Sequence, residues 1–141
     1  MTPLRAIRAA TLMLGLSLAA SAASGATGEQ TSDMPASIGN AIAARIIAVK
    51  CNRPMLPTAL TQAEIAELDT FIDERQTAFM LGSKANQRLS EMVFPQLARD
   101  YNKIYSNPDA CDAAARDMAK SVLERVRAVE AERRRRAEVK Q

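Results

Sequence analysis

The chain has 141 residues, 19 Lys and Arg against 16 Asp and Glu, no histidine and only two cysteines. Without histidine it lacks the commonest general base and metal ligand, so Ser-His and Cys-His nucleophilic arrangements are excluded. No Ser-x-x-Lys occurs and no glycine-rich phosphate loop can be built from five glycines, which leaves only carboxylates, Lys, Arg and Tyr for any enzymatic chemistry. The composition therefore points to a protein that is not an enzyme.

The first segment reads as a secretory signal. Arg5 and Arg8 form a basic start, Ala9 to Ala20 carries no charge, and Leu12, Met13, Leu14, Leu16 and Leu18 form its apolar run. Ala20-Ser21-Ala22 supplies small residues before a cleavage point after Ala22, with Ala26 as a second choice. The apolar run is shorter than the ~18 residues of a membrane-spanning helix, so cleavage is expected rather than anchoring. Residues 1–22 are thus read as signal and 23–35 as a small, polar, flexible leader. Residues 36–130 form the folded domain, and 131–141 a charged helix end or tail. The compartment is periplasmic or extracellular, and nothing after the signal is long and apolar enough to span a membrane.

Removing Arg5 and Arg8 takes the formal charge from +3 to +1. What remains is uneven: residues 23–119 are net −3 and residues 120–141 net +4. An acidic body with a basic end does not suit nucleic acid. Cys51 and Cys111, 60 positions apart, are expected to pair, because a lone cysteine pair in an exported chain is usually structural and no C-x-x-C is present.

The first helix is expected from Ala36 to Lys50, with Ile38, Ile42, Ile46 and Val49 along one face and Ile47 widening it. Asn52-Arg53-Pro54 and Pro57 then break regular structure. In that loop Met55, Leu56 and Leu60 either cap the core or form an exposed patch. The second helix opens with a capping box at Thr61 and Glu64. Its buried stripe is Ile65, Leu68, Ile72 and Phe79, edged by Phe71 and Met80, and Gly82 supplies a C-terminal stop.

The third helix is expected from Ser83 to Tyr105, burying Leu89, Val93, Leu97 and Tyr101, with Ile104 and Tyr105 continuing that face. Pro95 should kink or split it. Asn107 and Pro108 look like the cap and first residue of a fourth helix. That helix would carry Cys111 in its first turn and Ala115, Met118, Val122 and Val129 on its inner face, beside Val126. No strand run is found. The expected fold is all-α: a small four-helix bundle stapled by one disulfide, with a kinked third helix and a long fourth.

Three groups of residues offer candidate sites. Glu64, Asp69 and Asp73 on the second helix, joined by Asp109 and Asp112, could supply oxygen ligands to a calcium-like hard cation. The competing reading is a solvated acidic face, and no EF-hand spacing occurs. Arg133-Arg134-Arg135-Arg136 could meet an anionic surface or acidic partner, although Glu130 and Glu132 are spaced to pair with Arg134 and Arg136. The methionines Met34, Met55, Met80, Met92 and Met118 are too scattered for a copper site, and Met80, Met92 and Met118 read as core filling.

The plan of the chain is exported, small, all-helical and closed by one long-range disulfide. In that organisation it resembles the HdeA-type acid-stress chaperones; neither the cysteine spacing nor the sequence around Cys111 extends the likeness to particular residues. The expected function is a non-enzymatic interaction or chaperone-like protein without a cofactor. Its expected partner is another envelope protein, or a second copy of the chain. The alternative is a carboxylate-based metal-ion binder.

Overall fold

The computed structural model describes residues 34–141. The signal and most of the leader lie outside the described residues. Four α-helices follow in order: α1 (Met34–Lys50), α2 (Gln62–Gly82), α3 (Lys84–Tyr105) and α4 (Ala113–Val139). A single 3-10 turn, Pro108–Ala110, stands between α3 and α4. Among the described residues there is no strand, and the fold is a small disulfide-stapled helical bundle.

Helix α1 is the hub. It packs against α2, α3 and α4, whereas α3 and α4 have little direct contact with each other. Its sequence explains this. Ile38, Ile42, Ile46 and Ile47 supply apolar bulk, while Gly39, Ala41, Ala43, Ala44 and Ala48 keep the remaining surface slim, and all of them are buried. A helix apolar on nearly every side must be enclosed. At Gly39 α3 comes close: a Cβ there would lie 3.1 Å from Leu97 Cδ2. Val49, expected inside, is exposed.

The core has two parts. One gathers Ala44, Ile47 and Cys51 of the first third with Leu60, Leu68, Phe71, Cys111, Val122 and Leu123. The other joins Ile38, Ile42 and Ile46 to Phe79 and Phe94, whose rings meet edge to face at 6.1 Å. Ile72 and Tyr105 touch both. Cys51 and Cys111 are bonded, with Cα atoms 5.3 Å apart, so the bridge ties the end of α1 to the entrance of α4.

The capping box forms as read: Thr61 Oγ1 accepts from the Glu64 amide at 3.2 Å, and the Thr61 amide donates to Glu64 Oε2 at 2.8 Å. Gly82 ends α2 without entering the left-handed region. The break is made by the extended backbone of Ser83, whose hydroxyl then caps α3 by accepting from the Asn86 amide at 3.0 Å.

Of the two outcomes expected at Pro95, a kink or a split, the split does not occur: α3 stays one helix. Two expectations are corrected. Asn107 caps the 3-10 turn rather than the last helix, accepting from the Asp109 amide. The cap of α4 is Asp112, which accepts from the Ala115 amide at 2.8 Å, so Cys111 lies just before the helix. The chain turns twice here because Pro108 starts a short turn that places Cys111 beside Cys51 before α4 begins. Finally, the buried row of α3 is Ser90 and Phe94, with Ala98, Tyr101 and Tyr105 partly covered. Over its first half it lies one residue on from the expected row, leaving Leu89 and Val93 exposed, while Tyr101 and Tyr105 face the core as expected and Ile104 is exposed.

Candidate functional site

The acidic residues of α2 and the basic residues of α4 meet each other. Arg127 donates twice to Glu67, at 2.9 and 2.8 Å, and lies 3.6 Å from Glu64. Two turns on, Arg133 pairs with Glu130 at 2.7 Å and reaches Glu74 at 3.8 Å. The Arg127 hydrogen bonds hold the Glu67 carboxyl below its usual range. Between them Arg75 has its Nε buried with no hydrogen-bond partner among the described residues. Burial, and next the charge of Arg133, push its guanidinium pKa down.

This seam sets a pH dependence. A carboxyl with a lowered folded-state pKa contributes stability that is complete above its unfolded value, near 4.5, and is lost as pH falls through the folded value. Glu67→Gln should therefore narrow the difference in urea midpoint between pH 7 and pH 3. An equal difference in both proteins would show that the pair contributes nothing.

The expected metal ligands are dispersed. Glu64 closes the capping box, Asp69 is paired with Arg45, and Asp73 lies exposed on α2. Asp109 belongs to the 3-10 turn and Asp112 caps α4. Among the described residues no three His, Cys, Asp or Glu side chains form a group able to hold a metal ion. The arginine run is largely matched along its own helix: Arg135 and Arg136 both pair with Glu132, Arg136 at 3.0 Å. Glu130 takes Arg133 rather than Arg134. Arg136 also holds the Glu132 carboxyl below its usual range.

Two features that pattern reading missed stand out on α3. The first is its outer face. Leu89, Met92, Val93 and Ile104 follow helical spacing and are exposed, Met92 by 73% and Ile104 by 50%. Leu97 lies beside them, half-buried toward Gly39. Met92 is thus not core filling, and neither is Met118, which is partly exposed on α4. Met55 stands almost wholly in solvent, while Leu60 of the same loop is buried and Leu56 packs on the core.

The second feature is a cleft of about 480 Å³ between α2 and α3. Its floor is apolar: Ile42 and Ile46 of α1, Ile72 of α2 and Phe94 of α3. Arg45 and Asp69 stand together at one end, and Met80 at the other. Ser90, Glu91 and Pro95 form part of the α3 wall. Ser90 is only 6% exposed, and its hydroxyl has no hydrogen-bond partner among the described residues. Pro95 has no N–H, so the Glu91 carbonyl four residues back lacks its helical donor.

Compared with models of protein families, with curated proteins and with solved structures, the chain matches none. The candidate surfaces are therefore read from their chemistry alone.

Proposed function

We propose that this protein is an exported, non-enzymatic interaction module of the periplasm or extracellular space, and that it holds another envelope protein against the outer face of α3. The observation that carries this reading is the row Leu89, Met92, Val93 and Ile104 left in solvent on one helix. Leu89, Met92 and Val93 are neighbouring exposed apolar side chains, and Ile104 continues the face three turns on, beyond Gln96 and Asp100; together they offer a contact surface. A helix presenting residues at this spacing suits a groove or a second amphipathic helix. Export is supported by the signal-like start of the sequence and by the disulfide, which suits an oxidising compartment.

The test is a photo-crosslinking residue placed at Met92 of the full chain in its native envelope, with Asp117 on α4 as the control position. Crosslinking from Met92 to one discrete protein, absent from Asp117, is the expected result. Val93→Asp should abolish the adduct while leaving far-UV helicity unchanged, because Val93 is outside the core. An adduct of twice the chain mass would identify the partner as a second copy. Equal labelling from both positions, or an adduct indifferent to Val93→Asp, would overturn the reading.

A further inference from the structure

The cleft on the opposite flank of α3 has its own chemistry, independent of the outer face. We infer that it is a binding site for a short extended peptide segment with apolar side chains and a neutral or basic residue among them.

Three observations lead there. The floor of Ile42, Ile46, Ile72 and Phe94 is apolar and open along one side, and its volume lies within the ~300–1,000 Å³ of ligand sites. The cleft runs beside α2 from Asp69 to Met80. At the rise of a helix that distance is about 16 Å, the length of about five extended residues. Along the α3 wall stand two groups with unspent hydrogen-bonding capacity. Ser90 is a buried residue whose hydroxyl makes no hydrogen bond to another described residue, and the Glu91 carbonyl lost its helical donor to Pro95. Both can accept hydrogen bonds from main-chain amides.

Charge decides between ligand classes. Arg45 and Asp69 cancel as a pair, which leaves Glu91 as the one unbalanced charge lining the cleft. A fatty-acid carboxylate would meet that negative charge and would have to break the Arg45–Asp69 pair to find a cation. A peptide carrying a lysine meets a carboxylate instead. Pro95 acquires a role in this arrangement: on a wall that it shares with Glu91, it leaves the Glu91 carbonyl without a helical donor and does not end the helix.

The experiment uses the oxidised mature chain and three end-capped five-residue peptides of leucine and alanine whose central residue is lysine, glutamine or glutamate. Laurate is the fourth probe. Binding is followed by NMR shifts of the isoleucine methyl groups. Expected is saturable binding that shifts Ile42, Ile46 and Ile72, with the lysine peptide tightest and the glutamate peptide weakest. Glu91→Lys, an exposed substitution, should invert that order by roughly tenfold in relative affinity. Gln76→Trp, which plugs the cleft from its rim, should remove binding; Val93→Asp should leave it intact, so failure here and failure of the α3 outer face are read separately. Three results would overturn the inference: no saturation by any peptide, binding of laurate alone, or binding that survives Gln76→Trp.

Discussion

Removing the Cys51–Cys111 bridge is expected to lower the unfolding free energy of the chain by about 4 kcal/mol, the chain-entropy value for a closed loop of this length. That is a large part of the ~5–15 kcal/mol available to a domain. The bond closes the loop containing α2 and α3 and joins α1 to the entrance of α4, the two elements that complete the first core cluster. Guanidinium titrations with and without reductant measure the loss. The dependence on denaturant should steepen in the reduced protein, because its unfolded chain is free to expand. Cys51→Ala with Cys111→Ala should cost at least as much, since both half-cystines are buried and their removal loosens packing. If helicity and midpoint were unchanged by reduction, the bundle would be held by its core alone.

Ile47→Ala should cost about 3 kcal/mol, within the range for large-to-small changes in a core. Ile47 is fully buried on the hub helix and belongs to the cluster that also holds Cys51, Leu68 and Val122. The comparison residue is Ile104, the same side chain on the exposed face of α3. Ile104→Ala should stay within about 0.5 kcal/mol. Thermal denaturation of the two variants checks both values. A similar loss in each would mean that the outer face of α3 is covered in the folded protein.

How far the sequence carried the fold depends on where the deciding information lies. The α2 cap was legible because Thr61 and Glu64 complete it between themselves. The α3 face was not. Leu89, Val93 and Leu97 make a more apolar row than Ser90, Phe94 and Ala98, yet the latter row faces the core. Phe79 on α2 decides this by receiving the Phe94 ring, and small Ala98 fits beside it. A helix with two adjacent apolar rows cannot report which one a neighbour will choose. The fourth helix was read one capping residue too early because Asn107-Pro108 and Asp112 are both sound starts; the closing of Cys111 onto Cys51 separates them.

The acidic stretch of α2 and the arginines of α4 were each visible as charge, but their meeting was not. Glu67 and Arg127 are 60 positions apart, and only the packing of α2 and α4 on α1 brings them together. Two charged segments that looked like surfaces for outside ligands thus serve in part as each other's counterions. The α2–α3 cleft carried one local trace, Pro95 inside a helical pattern. The proline was read as a kink or split in the helix; it stays within one helix and leaves the Glu91 carbonyl without its helical donor.

The placement of α1 has a consequence for the order of events in biogenesis. The element that needs the most cover is the first of the four to be synthesised, and the surfaces that cover it arrive over the whole remaining chain. At the moment α1 emerges it has no partner, and its last one, α4, comes only after α2 and α3. A partly made chain therefore has no complete core to settle into. The core stays incomplete until α4 has followed, and Cys111 can reach Cys51 only after the α2–α3 region between them has been made.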